Sequence, residues 1–233
     1  MSPRYAIYYA PPRDGGLSRR AAAWLGRDAW TGEAVPRTPP PILSDLDLDG
    51  LTADPRGYGF HATIRAPFEL STARGETELL AAAERFAGGL KAFRAPMAPA
   101  SLGRFLAFRL TADSPEMAAF HAASLEAFEP FRAPLSDFDL ARRRKASLTP
   151  VQDARLVRWG YPYVLEDFRF HMTLTGSIAD DAVRGRLLEA LTEIFAEDIG
   201  DHLFDGVAVF RQSDRSAPFT ILERFAFGAR VTA

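Results

Sequence analysis

Phe60-His61-Ala62-Thr63-Ile64 and Phe170-His171-Met172-Thr173-Leu174 share one pattern, Phe-His-x-Thr-aliphatic, with the two histidines 110 residues apart. The chain has four histidines, His61, His121, His171 and His202, and 13 threonines among its 233 residues. At those frequencies two of four histidines would have threonine two places on in about 2% of chains, and the preceding phenylalanine lowers this to roughly one in ten thousand. On an extended strand, residues i and i+2 share a face. His61 therefore projects with Thr63 and His171 with Thr173, while the flanking apolar residues form a row on the other face. Each strand shows a polar pair to a cleft and an apolar row to a core. An internal duplication would gather two imidazoles and two hydroxyls around one concave site.

Outward from the two motif strands, expected at 58–64 and 168–174, strand-like and helix-like segments alternate. Arg4 to Ala10 is rich in β-formers and stops at Pro11-Pro12. A short helix is expected around 17–26. From 31 to 57 the chain carries Pro36, Pro39, Pro40, Pro41 and Pro55, a composition that predicts an irregular surface loop. Helices are predicted over 76–86, with Leu79, Leu80, Ala83 and Phe86 on one face, over 115–128 behind Ser114-Pro115, and over about 181–198. Thr149-Pro150-Val151-Gln152 reads as a capping box opening a helix that stops at Gly160. Strands are expected at 93–98 and 102–110, and a terminal hairpin pairs 207–210 with 219–222. Interleaved hairpins and crossovers make an α+β fold, one bilobal domain over 1–233.

Composition narrows the function. With 28 Lys and Arg against 30 Asp and Glu the formal net charge is −2, which disfavours a generally basic nucleic-acid binder. No stretch approaches the roughly 20 apolar residues that span a bilayer. The opening Met1-Ser2-Pro3-Arg4-Tyr5 lacks the apolar core of a signal peptide, and a cytoplasmic location is expected. The absence of cysteine excludes disulfides, thiolate metal sites and cysteine nucleophiles within this sequence.

Two histidines suit phosphodiester chemistry. A neutral imidazole takes a proton from the attacking oxygen, an imidazolium protonates the departing one, and two hydroxyls donate to the non-bridging oxygens. This arrangement calls for no metal and no cofactor, and neither histidine stands in a recognised metal-ligand spacing.

Paired His-x-Thr strands in a duplicated α+β chain resemble the two-histidine phosphoesterase superfamily, which includes RNA ligase-like proteins and cyclic phosphodiesterases. More closely, Tyr58-Gly59-Phe60-His61-Ala62-Thr63-Ile64-Arg65-Ala66-Pro67-Phe68, Trp159-Gly160-Tyr161-Pro162-Tyr163 and Phe170-His171-Met172-Thr173-Leu174-Thr175-Gly176 are similar to a subfamily of phosphonate metabolism proteins often encoded beside the carbon–phosphorus lyase system. The resemblance implies a pseudo-two-fold fold with antiparallel sheets facing a central cleft, and His61, Thr63, His171 and Thr173 as catalytic residues. It implies a metal-independent phosphodiesterase acting on a small cyclic or linear phosphodiester, with a ribose cyclic phosphate from phosphonate breakdown as substrate. A 2′,3′-cyclic nucleotide or RNA end is the rival substrate, and a non-catalytic module binding RNA or a phospho-ligand is the rival function.

Further residues join the expected site. Arg65, four places after His61, should reach the same cleft on a straight strand, and Thr175 occupies the matching place after His171. Tyr58, Tyr161 and Tyr163 flank the motifs and could stack on a base or sugar. Arg143, in the run Arg142-Arg143-Arg144-Lys145, is the expected phosphate contact of a segment that otherwise reads as a solvated helix face. His121 and His202 carry no motif and read as structural. The expected partner is a phosphate-containing small molecule or nucleotide, with RNA not favoured, no membrane, and a monomeric chain.

Overall fold

The computed structural model describes residues 3–228. Its strands are β1 (Arg4–Tyr9), β2 (Ala62–Glu69), β3 (Phe93–Leu102), β4 (Phe105–Leu110), β5 (His171–Thr173), β6 (Gly200–Phe204), β7 (Gly206–Gln212) and β8 (Thr220–Ala226). Between them lie the helices α1 (Gly16–Leu25), α2 (Leu48–Tyr58), α3 (Glu76–Gly88), α4 (Pro115–Phe128), α5 (Asp137–Arg144), α6 (Pro150–Trp159) and α7 (Asp181–Ile194). All eight strands join one antiparallel sheet in the order β6-β3-β4-β5-β2-β1-β7-β8. The two expected sheets are the halves of this one, and they meet where Ala62 of β2 pairs with Met172 of β5.

The duplication is visible in the connections. β1-β2-α3-β3 and β4-β5-α7-β7 run through the same steps, and each third strand crosses into the other half: β3 pairs with β4, and β7 with β1. Helix α3 then packs on β7 and β8, and α7 on β3 and β4. Strand β1 separates two apolar clusters. Tyr5, Ile7 and Tyr9 point into the main core with Ile64, Met97, Met172 and Leu187, while Ala6, Tyr8 and Ala10 pack with Phe210, Phe219 and Ile221 on the other face. The main core draws on both repeats, so neither half encloses a core of its own.

Three local expectations need correction. The proline-rich segment 31–57 ends in a helix: the Asp47 carboxylate accepts from Gly50 N–H at 3.0 Å and opens α2. Pro55 sits inside that helix and cannot donate to the Leu51 carbonyl, but Gly176 N–H takes its place at 2.6 Å. Tyr58 closes α2 instead of opening a strand, so the first motif strand runs from Ala62 to Glu69. The second is three residues long, because a 3₁₀ turn at Leu165–Asp167 precedes it and the ladder to β4 covers His171, Met172 and Thr173 alone. Leu165 adopts a left-handed conformation (φ 58°), and its N–H donates to His121 Nε2 at 3.0 Å. His121 Nδ1–H in turn donates to the Ile64 carbonyl at 2.8 Å. Both ring nitrogens are thus engaged, and His121 is a structural link between the two motif segments.

Candidate active site

Both motif imidazoles are anchored in the same way. His61 Nδ1–H donates to the carbonyl of Gly59 at 2.8 Å, and His171 Nδ1–H to that of Arg169 at 2.7 Å, each two residues back along the chain. A ring nitrogen that bonds a carbonyl must carry the proton, so each Nε2 keeps its lone pair and faces the cleft. The Gly59 anchor depends on glycine. Its φ of 76° and ψ of 171° lie in a region essentially closed to other residues, and a Cβ there would stand 2.5 Å from the Ala29 Cβ.

The antiparallel register sets the four side chains. With Ala62 opposite Met172, continuing the pairing puts His61 across from Thr173 and Thr63 across from His171. The histidines then occupy one diagonal of a square and the threonines the other. Directly opposed side chains start about 5 Å apart and diagonal ones about 7 Å. Thr63 Oγ1 lies 3.4 Å from His61 Nε2. Neighbouring strands extend the face: Tyr8 of β1 pairs with Thr63, and Arg109 of β4 with His171. The quartet opens into a cavity of about 310 Å³ whose wall also includes Arg4, Tyr8, Asp54, Tyr58, Arg143 and Tyr161.

His61 is held in an aromatic slot. Tyr8 stacks on it with ring centroids 3.9 Å apart, and Tyr58 lies beyond at 6.0 Å. Burial pushes its pKa down to about 4; the bond to Gly59 opposes this, and a charge on His171 adds to it. Burial also lowers His171, helped by the Arg109 guanidinium and opposed by the Arg169 carbonyl. His61 is therefore neutral at pH 7, and protonating His171 keeps it so.

The cationic groups differ in how far they are already neutralised. Arg142 pairs with Asp139 at 3.0 Å and Arg144 with Asp153 at 2.7 Å. Arg143, between them on α5, has no carboxylate partner among the described residues; its guanidinium lies 5.2 Å from the Tyr161 ring centre, and its buried Nε makes no hydrogen bond. Arg4 bonds the neutral Gln212 Oε1 through Nε at 2.8 Å.

The structure gathers His61, Thr63, His171, Thr173, Tyr58, Tyr161 and Arg143 around one cavity. Tyr163 is set back from it, edge-on to Tyr161 with centroids 5.6 Å apart. Arg65 and Thr175 do not reach it. The ladder to β1 steps from Tyr8–Thr63 to Ile7–Arg65, two residues of β2 against one of β1, and this bulge turns Arg65 to the helix side. There Arg65 is 2% exposed, bonds the Leu125 carbonyl and pairs with Glu129 at 2.5 Å. Thr175 is fully buried past the end of β5, where its hydroxyl accepts from Leu106 N–H at 3.0 Å and donates to the Gly176 carbonyl at 2.9 Å. Arg4, Tyr8 and Asp54 escaped the sequence reading. Arg4 and Tyr8 share the even-numbered face of β1, a signal available once the register to Thr63 is known.

The family model described as "Protein of unknown function (DUF1045)" matches residues 63–220. Two curated relatives are each named ribose 1,5-bisphosphate phosphokinase PhnN. The protein from Janthinobacterium sp. (strain Marseille) is 36% identical over 234 residues, covering 97% of this chain and 51% of the relative. That from Laribacter hongkongensis (strain HLHK9) is 34% identical over 221 residues, covering 94% and 50%. The chain thus spans about half the length of these relatives. Among solved structures, TT0787 of Thermus thermophilus is 16% identical with a TM-score of 0.47, covering 98% of this chain and 100% of that one. E. coli LigT complexed with 3′-AMP is 12% identical with a TM-score of 0.45, covering 97% and 99%.

Proposed function

The chain belongs to the DUF1045 family, and we propose that it is a phosphodiesterase that hydrolyses a small cyclic phosphodiester by two-histidine acid–base catalysis. The observation that carries this reading is the diagonal quartet. Two imidazoles whose Nε2 lone pairs face one cavity stand there with two hydroxyls, beside two arginines that have no carboxylate partner among the described residues.

In the proposed reaction the phosphodiester lies between the histidines. His61 Nε2 removes a proton from water, whose oxygen forms the new P–O bond. The ring P–O bond breaks, and its oxygen takes the proton from His171 Nε2. The ring opens to a phosphomonoester, and the histidines exchange protonation states before resetting through solvent. Thr63 and Thr173 donate to the non-bridging oxygens as charge builds. Burial of His61 between Tyr8 and Tyr58 supports its role as base. The phosphodiester anion raises the pKa of His171 on binding and supports the acid role there.

A cavity of about 310 Å³ suits a sugar phosphate better than an RNA strand. The relatives' name points to phosphorylated ribose. The chain contains no Gly-x-x-x-x-Gly-Lys-Ser/Thr loop, so we assign it no transfer from ATP. The test is hydrolysis of a panel of cyclic phosphates in excess chelator, by wild type and by His171→Ala. Turnover of a ribose cyclic phosphate by the wild type alone supports the reading. Activity that vanishes on chelation and returns with one divalent ion refutes the metal-free mechanism. Tight binding without turnover, unchanged in His61→Ala, would make the chain a binding module.

A further inference from the structure

The cavity over the quartet adjoins a smaller annex of about 110 Å³, and the two share Arg4, Ala66, Pro67, Arg142 and Arg143 in their walls. The annex is lined by five arginines against two carboxylates. Both carboxylates are already engaged. Asp139 accepts from Arg142 at 3.0 Å and Arg215 at 2.7 Å, and Glu69 from Arg215 at 3.2 Å. Arg132 is held by Glu129 at 2.7 Å. Arg4 and Arg143, in the wall common to the two spaces, are left without a carboxylate among the described residues.

These two guanidiniums are also held in place before any ligand arrives. Gln212 accepts from Arg4 through Oε1, while its amide nitrogen donates to the Ala217 carbonyl at 2.7 Å, which fixes which end of the amide faces the arginine. Arg143 lies over Tyr161 with its Nε buried and unbonded. Both residues are half-buried; a guanidinium partly withdrawn from water without a counter-charge is costly, and an anion bound beside it would supply what the protein withholds. A lone phosphodiester carries one negative charge, which the protonated histidine and the hydroxyls already meet. Two further cations match a monoester, whose charge is about −1.5 to −2 at pH 7.

We propose that the substrate carries a second phosphoryl group, a terminal monoester, and that the annex binds it through Arg4 and Arg143 while the quartet holds the cyclic diester. This deepens, and rests on, the phosphodiesterase reading. The substrate class is a compact sugar cyclic phosphate bearing a separate phosphomonoester. The annex then acts as a selector, refusing tight binding to diesters that lack the second group.

Two measurements test the subsite separately from the chemistry. The first is calorimetric binding of ribose 5-phosphate, which has a monoester and no diester, to wild type, Arg143→Gln and Arg4→Gln. The second is the ratio of kcat/KM for a ribose cyclic phosphate with and without a 5-phosphate. The wild type should prefer the phosphorylated substrate by about 100-fold or more, and Arg143→Gln should lower both that ratio and the ribose 5-phosphate affinity by at least about tenfold. Equal kcat/KM for the two substrates, or unaltered ribose 5-phosphate binding in a folded Arg143→Gln, overturns the subsite. If no diester is hydrolysed yet ribose 5-phosphate binding is lost in Arg143→Gln, the subsite stands and the phosphodiesterase reading falls. If Arg143→Gln does not fold, Arg4→Gln decides by the same readouts.

Discussion

Acidification from pH 7 to pH 5 should destabilise the protein through its neutral histidines before the carboxylates contribute. His61 and His121 are each pushed by burial down to about 4, against a reference value of 6.5. Between those values the unfolded chain binds protons that the native state refuses, so stability is full above about pH 6.5 and is lost as pH falls toward 4. Linkage gives a loss of about 2 kcal/mol per histidine by pH 5, or about 4 kcal/mol for the pair. His171 and His202 are lowered as well and act in the same direction. Unfolded carboxylates titrate near pH 4, so the window from 7 to 5 isolates the imidazoles. The assay is the urea midpoint at several pH values for wild type, His61→Asn and His121→Gln. Each variant should lose about 2 kcal/mol less than wild type across the window, whatever its stability at pH 7. A flat wild-type profile, or variants running parallel to it, would refute the neutral state of His61 and with it the assignment of that residue as a base ready at pH 7.

Three other outcomes are expected. His171→Ala and His61→Ala should each cost about 10²–10⁴ in turnover of the responsive cyclic phosphate, and the double variant should fall well short of the product of the two losses, as steady-state kinetics on all three will show. Thr63→Val keeps the strand and removes one donor, so transition-state stabilisation should drop by about 2–3 kcal/mol, read as kcat/KM. Gly59→Ala forces a side chain into the closed backbone region and toward Ala29. It should cost about 2 kcal/mol or more by chemical denaturation, and the His61 ring resonances should shift as their anchoring carbonyl moves.

The sequence made the quartet legible because its geometry needs only a period of two, and both motifs keep that period from the histidine to the threonine. Legibility ended where the backbone breaks the period. Arg65 obeys the i+4 rule in sequence, but a bulge opposite Ile7 and Tyr8 rotates it to the helix face and into partnership with Glu129. Thr175 fails for a different reason: the strand stops at Thr173, and beyond it the chain turns to bond Leu106. The basic run 142–145 could be read as cationic but not sorted. Arg142 pairs with Asp139 one turn back on its own helix, but Arg144 takes Asp153 from the next helix and Arg143 turns to Tyr161, contacts set by tertiary packing. Arg4 was hidden in the same way, since its neutral partner Gln212 lies at the far end of the chain.

The proline-rich segment also changes meaning once folded, because α2 ties the two motifs to each other. Pro55 leaves the Leu51 carbonyl without a helical donor, and the vacant acceptor is taken by Gly176 N–H, just beyond the second motif strand. One turn further along, the helix ends at Tyr58, beside the imidazole of His61, and the next residue is the glycine whose carbonyl holds that ring. A proline in mid-helix normally weakens the element. Here the defect supplies the hydrogen bond that connects one histidine's strand to the other histidine's anchor. Between the two motif strands themselves the sheet contributes the single Ala62–Met172 pairing, so the relative placement of the imidazoles depends on α2 as well as on the sheet.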